Sequence, residues 1–433
     1  MIPPRVTVVG AGLAGCEAAY QLAERGIAVD LFEMKPEKKS PAHHASDFCE
    51  LVCSNSLRSD RLENAVGLLK EEMRLLGSLI LRVADETRVP AGGALAVDRE
   101  GFAARITQIL REHPNITIHS EEVTRVPDAP AIVASGPLTS DALAADIARL
   151  TGEPLHFYDA AAPIVTYESL DLSKVYRASR YGRGDDYLNC PMTKDEYFAF
   201  YRALISAETA ELHAFETPRV FEGCMPVEVM AKRGEMTLCF GPLKPVGLEM
   251  DGKEPFAVVQ LRQDDKDGRL FNIVGFQTNL KFAEQRRVFG LIPGLEHAEY
   301  ARDGVMHRNT FLQSPKLLNF DFQMRERPGL YFAGQMTGVE GYVESAASGL
   351  TAALSMARRL SGQPPVDFSA KTAIGSLGHY VAEYNGDDFQ PMNVTFGIMD
   401  PLNERIRKKT ERYGKIAERA LMIVKEQIAV AEI

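Results

Sequence analysis

Residues 5–33 read RVTVVGAGLAGCEAAYQLAERGIAVDLFE, and this stretch decides the fold. Arg5–Val9 is a short apolar, β-branched run, the pattern of a buried strand. Gly10, Gly12 and Gly15 follow as G-x-G-x-x-G. Apolar residues then recur at helical spacing up to Gly26, and IAVDLFE reads as a second strand. A strand, a tight glycine turn, a helix and a parallel strand with short connections form a βαβ unit. Gly10 permits the tight turn, Gly12 lets the backbone approach a pyrophosphate, and Gly15 allows close helix packing. Phosphates then sit at the helix N-terminus against Ala11 and its neighbours, facing unpaired N–H groups and the positive end of the helix dipole. Glu33 closes the second strand, about 20 residues on, where an acid takes ribose hydroxyls. Dinucleotide binding by Gly10, Ala11, Gly12, Gly15 and Glu33 is the expectation. A glycine-rich turn without a ligand is the alternative.

Working outward, residues 61–82 carry an amphipathic pattern that predicts one long helix. Residues 101–113 predict another, NITIHS a strand, and AIVASGP (131–137) an apolar strand ending in a glycine turn. From about 151 the pattern changes to β-rich pieces, APIVTYES, FAVVQLRQ and FNIVGFQT, with one helical stretch among them. LYFAGQMTGVEGYVESAASGLTAALSMARRL (330–360) then returns to strand, glycine loop and long helix, and a helical region closes the chain. FAD and NAD share the first fingerprint. AIVASGP and YFAGQMTG resemble the middle and late motifs of FAD proteins of the glutathione-reductase type, and Gly334 and Gln335 fall in the late one. The expected fold is α/β: a Rossmann-like FAD-binding domain of glutathione-reductase type, discontinuous over 1–150 and 320–433. A smaller α/β substrate domain is inserted at 151–319.

The bulk properties bound the remaining classes. The chain has 433 residues, of which 45% are hydrophobic and 25% charged, which is ordinary for a globular protein. No apolar run reaches the ~18 residues of a membrane span, and the first residues lack a signal-peptide pattern. Six cysteines are spread thinly, so reduced thiols in a cytoplasmic protein are expected rather than a disulfide framework. No Cys/His cluster points to a metal. The net charge of −10 argues mildly against nucleic acid. Two stretches run the other way: NERIRKKTERYGKIAER, with seven basic residues against three acidic, and RASRYGRG at 177–184. A solvated surface is the plain reading of both.

Cys53 in ELVCSNSLRSD and Cys224 in FEGCMPVEVM are flanked by polar or turn residues rather than placed on an apolar stripe, while Cys16 reads as a small buried hydrophobe. GAGLAGCEAA, ELVCSNS, FEGCMPVE, MHRNT and FAGQMTGVEGYVESAASG together resemble the folate- and FAD-dependent tRNA (uracil-5-)-methyltransferases, from residue 6 to about 396. The related glucose-inhibited division protein A family shares the FAD motifs, modifies the wobble uridine and is longer.

The resemblance implies methylation of carbon 5 of the T-loop uridine at position 54 of tRNA. Methylenetetrahydrofolate is the carbon donor, FAD the cofactor and NAD(P)H the reductant, and no stable protein partner is implied. Uracil C5 is a poor nucleophile. A thiolate adding at C6 makes an enolate that can attack a methylene carbon, and a base must then take the C5 proton. The motif match gives Cys224 the nucleophile's role and Cys53 that of general base or acid, with the reverse as the alternative. Tyr342 is expected to stack on the flavin or a bound intermediate. His307 is expected over the pterin, and Arg308 and Asn309 on substrate. The basic tail and Arg177–Arg183 are the expected tRNA surfaces. A flavin oxidoreductase of small molecules, a wobble-uridine enzyme and a non-catalytic tRNA-binding flavoprotein are the competing readings.

Overall fold

A computed structural model of the chain describes residues 5–40, 42–152, 155–210, 225–250, 252–386 and 389–431, without the side chains of 155–159 and 307–308. Strand Arg5–Val9 lies at the centre of a five-stranded parallel sheet. Ala28–Glu33 and then Ile116–Ser120 flank it on one side, and Ala131–Val133 and then Leu330–Phe332 on the other. The last strand returns after an excursion of almost 200 residues. Its continuation, helix Tyr342–Leu360, packs on helix Leu13–Glu24. Contact is so close that a Cβ at Gly349 would stand 2.1 Å from the Ala14 carbonyl oxygen. Only glycine fits there, so the first and last motifs are clamped together at the carboxyl end of the sheet, where ligands of open α/β folds bind.

The excursion builds a second, antiparallel sheet of six strands in the order 176–177, 187–192, 257–263, 270–273, 164–166, 300–302. It has a hydrophobic core of its own, containing Tyr197, Phe200, Phe271, Phe276 and Phe289. Helix Lys194–Ile205 covers it and opens on a capping box in which Thr193 and Glu196 satisfy each other's backbone N–H groups. Leu155–Ala160 and Met306–Phe311 pair antiparallel where the chain leaves and re-enters. A three-stranded sheet of Arg88–Val89, Ala94–Val97 and Ser56–Ser59 lies beside the glycine motifs.

The long helix expected over 61–82 is two helices, Ala65–Leu75 and Leu79–Glu86. Gly77 takes a left-handed φ of +74° between them. Ser78 caps the second helix, and the buried Glu17 carboxylate accepts from the Leu79 and Ile80 N–H groups and the Ser78 hydroxyl. The apolar face carries across the break, so periodicity alone could not see it. The basic tail also differs in part: its helix runs Lys409–Ala431, so Arg405, Arg407 and Lys408 precede it. No described helix is long and apolar enough to cross a membrane.

Candidate active site

A cleft of about 1080 Å³, its open mouth included, lies at the carboxyl end of the parallel sheet. Gly10, Ala11, Gly12, Glu33, Gly334 and Gln335 line it, and so do Cys53, Asn309 and Tyr342. Nine of the residues singled out from the sequence therefore meet in one place. Gly15 sits behind the cleft wall: a Cβ there would be 1.8 Å from the Gly10 carbonyl oxygen. Its work is to let the helix approach its own turn. Gly10, at φ +95°, turns tightly against Ala134 and Ser135 of the AIVASGP motif.

Gly12 behaves differently. It is the N-cap of helix Leu13–Glu24, and a Cβ added to it would meet nothing within 4 Å. No protein atom requires that residue to be small, so the space is left for a ligand. The first N–H groups of the helix have no partner within it, and with the dipole they suit a pyrophosphate. The buried Glu33 carboxylate is pinned beside it, one oxygen accepting from Ala11 N–H at 2.8 Å and the other from Lys35 N–H at 3.0 Å. Each oxygen keeps a lone pair for a hydroxyl. On the far side, Gly334 (φ +85°) and the turn Gln335–Thr337 bring the late motif to the cleft. These residues fit the adenosine, ribose and pyrophosphate of FAD.

Cys53 is the one described cysteine that is not buried. Its loop, 50–55, is tethered from four directions. The Tyr342 hydroxyl accepts from the backbone N–H of Cys53 at 2.9 Å and of Ser54 at 3.3 Å, and lies 3.0 Å from the Cys53 sulfur. With two N–H groups on its acceptor positions, the phenol keeps its own proton available for the sulfur. Burial, with the Cys53 sulfur beside it, pushes the Tyr342 phenol well up, so it stays protonated. Arg99 donates to the Leu51 carbonyl and is held in a two-pronged pair with Asp264, at 3.0 and 2.9 Å. Arg302 donates to the Val52 carbonyl at 3.0 Å and faces Glu50 at 3.4 Å. Arg262 donates to Asn55 Oδ1 at 3.0 Å and Ser54 Oγ at 2.8 Å.

Other expected positions are reached only in part. Asn309 is buried on strand Met306–Phe311. His307 and Arg308 share that strand, opposite Asp159 and Tyr158, but their side chains lie outside the described residues. Cys224 also lies outside them. The nearest described residue, Met225, is buried and leads into helix Val227–Ala231. Tyr342, expected on the flavin, lines the cleft and has its hydroxyl on Cys53.

Sequence reasoning missed Arg99, Arg262 and Arg302. One signal was present: Gln260 and Arg262 interrupt the apolar body of strand Ala257–Gln263, ahead of its polar end at Gln263, and both are buried.

A parallel sheet carrying a glycine fingerprint, a pinned acid and a late glycine motif over one cleft defines an FAD-binding protein. The model of the glucose inhibited division protein A family matches residues 5–364, and the chain belongs to that family. Two relatives are named methylenetetrahydrofolate--tRNA-(uracil-5-)-methyltransferase TrmFO. That of Bacillus licheniformis is 60% identical over 97% of this chain and 98% of its own. That of Desulforamulus reducens is 61% identical over 99% and 98%. Among solved structures, GidA of Aquifex aeolicus superposes with a TM-score of 0.72 at 17% identity, covering 98% of this chain and 76% of the other. That likeness is one of fold.

Proposed function

We propose that this chain methylates carbon 5 of the T-loop uridine at position 54 of tRNA, taking the carbon from methylenetetrahydrofolate. The observation that carries the reading is a thiol, Cys53, hydrogen-bonded by Tyr342 at the edge of a cleft built for FAD. Relatives of about 60% identity carry the methyltransferase name.

The uridine leaves its stack to reach the thiols, as base-modifying enzymes require. A thiolate, assigned to Cys224, adds to C6 and the ring electrons move to the C4 oxygen. The enolate's C5 attacks the methylene carbon of the folate. Cys53 as thiolate takes the C5 proton while the bond from the methylene carbon to the folate nitrogen breaks, so tetrahydrofolate leaves and an exocyclic methylene remains on C5 with Cys224 still on C6. FAD held in the cleft and reduced by NAD(P)H would supply hydride to this methylene, and the electrons returning to the ring expel the Cys224 thiolate from C6 as the methyl group forms. Gly10, Ala11, Gly12, Glu33, Gly334 and Gln335 would hold the cofactor, and Tyr342 lines the same cleft. His307, Arg308 and Asn309 are assigned to folate and uridine. Lys408, Lys409, Arg177 and Arg183 are exposed and suit the phosphates of the tRNA elbow. By contrast, Arg419 is committed to the carbonyls of Asp400 and Pro401.

The test is transfer of label from methylenetetrahydrofolate, labelled in its methylene carbon, to unmodified tRNA in the presence of NAD(P)H. Label in 5-methyluridine, abolished by Cys53→Ala and by Cys224→Ala, is expected. Flavin that NAD(P)H reduces while no tRNA takes up label would return the chain to the small-molecule oxidoreductases.

A further inference from the structure

Arg262 stands out among the buried charges. It lies on the antiparallel strand Ala257–Gln263, and its guanidinium reaches out of that sheet to the Cys53 loop. Its residue is only 7% exposed. Yet its hydrogen-bond partners are neutral: Asn55 Oδ1, Ser54 Oγ and, at 3.5 Å, Asn272 Oδ1. Among the described residues no carboxylate lies within ion-pair distance of it. Its neighbours are each matched, Arg99 by Asp264 and Arg302 by Glu50. A buried cation without a counter-charge is costly, and removing its charge would be neutral or favourable unless an anion forms nearby. Burial works against its charge, and the groups that hold the charge up include Tyr187, Asp264 and the Cys53 sulfur, with Arg99 opposing.

We propose that Arg262 is a positioning residue for Cys53, whose guanidinium fixes the 53–55 turn and supplies the counter-charge that makes the thiol a thiolate at neutral pH. This rests on the methyltransferase reading for its purpose but not for its test. The step is a proton exchange alone. The thiol gives its proton to solvent when the site is prepared, and the resulting thiolate is the form that can take the C5 proton. Among the described residues the groups about Cys53 and its loop include Tyr342, Arg99, Arg262 and Arg302, with Asp264 paired to Arg99 and Glu50 to Arg302. Arg99 and Arg262 both act electrostatically on Cys53, and Arg262 is the one of the two whose hydrogen bonds include no carboxylate.

Cys53 being the accessible thiol among the described cysteines, its ionisation can be read by alkylation. The FAD-loaded protein, without tRNA or folate, is treated with iodoacetamide across a pH series. The Cys53 peptide is followed by mass spectrometry. In the unmodified protein the rate is expected to reach half its plateau well below pH ~8.5, the value of an ordinary thiol. Arg262→Gln should raise that midpoint by about 1–2 units, the effect of losing an adjacent opposite charge, and slow alkylation at pH 7 roughly 10-fold or more. Arg262→Lys keeps the charge but not the fork. It should retain most of the lowered midpoint, which a merely structural role would not predict.

A midpoint at or above ~8.5 in the unmodified protein overturns the proposal with no variant needed. An unchanged midpoint in a flavin-retaining Arg262→Gln overturns it as well. Either result leaves the labelling assay free to succeed, and failure of the labelling assay leaves the alkylation profile intact.

Discussion

Two glycines three residues apart are predicted to fail in opposite ways when changed to alanine. At Gly12, φ is −77° and ψ −172°, a region open to any L-residue. The added methyl meets no protein atom within 4 Å. Alanine is a poorer N-cap than glycine by roughly 0.5–1 kcal/mol, but it loses less backbone entropy on folding, a gain of about 0.4–1 kcal/mol. The two offset, so flavin-free Gly12→Ala should melt with the parent protein. The methyl instead occupies the approach of the pyrophosphate. Loss of one charge-assisted hydrogen bond costs about 1.5–3 kcal/mol, which weakens FAD roughly 10- to 150-fold. At Gly15 the methyl would lie 1.8 Å from the Gly10 carbonyl oxygen, where real Cβ atoms keep 3.0 Å or more. The turn and the helix must separate, at about 1–3 kcal/mol or beyond. The assay is thermal unfolding of stripped apoprotein alongside FAD titration by flavin absorbance. Full FAD affinity in Gly12→Ala would refute the placement of the pyrophosphate. A Gly15→Ala apoprotein as stable as the parent would refute the packing argument.

Tyr342→Phe removes the acceptor of two N–H groups and the donor to Cys53, so methyl transfer should fall by about 10- to 100-fold. Single-turnover label transfer reads this, and a rate within twofold of the parent would remove Tyr342 from the chemistry. Glu72 is fully buried and accepts from Ala373 and Ile374 N–H at a helix start. Burial nevertheless pushes its carboxyl up to about 8. A raised carboxyl favours the fold while protonated, so stability should decline from its ordinary value near pH 4.5 towards 8. Glu72→Gln should flatten that decline in urea melts at several pH values, and a parallel pH dependence in both proteins would show that Glu72 is not its source. Charge reversal at Lys408 and Lys409 should weaken tRNA binding and lower the salt slope by about 1 for each lost phosphate contact. An unchanged slope would return those residues to solvated surface.

What was legible in the sequence was local. Residues 5–33 declare a strand, turn, helix and strand because each signal lies within a few residues of the next. The structure places them as read. The break at Gly77 was hidden because the apolar stripe runs through it, and the cap that makes the break stable comes from Glu17, about 60 residues earlier. The site divides in the same way. The glycines and Glu33 announce themselves by spacing. The bond between Tyr342 and Cys53 joins positions 289 residues apart, and Arg262 reaches Ser54 across 208. No periodicity encodes such pairings. The trace they leave is a polar residue buried in an apolar strand, as at Arg262, which flags a partner without naming it.

The tethering of residues 50–55 explains why the antiparallel sheet matters to chemistry at the parallel one. Loops carry reacting groups because they can be aimed, but a loop left to itself exposes its backbone and moves. Here the Leu51 and Val52 carbonyls, which no strand pairs, are taken by Arg99 and Arg302, and the Cys53 and Ser54 N–H groups by Tyr342. These tethers start on different elements: the helix Arg99–Glu112, the strand Tyr300–Arg302 and the helix that follows the late glycine motif. Arg99 is itself fixed by Asp264, two residues beyond Arg262. The thiol therefore keeps its place only while both sheets keep theirs. Damage to strand Ala257–Gln263, far along the chain from every glycine motif, should be felt first as a change in Cys53 reactivity and only later as loss of flavin.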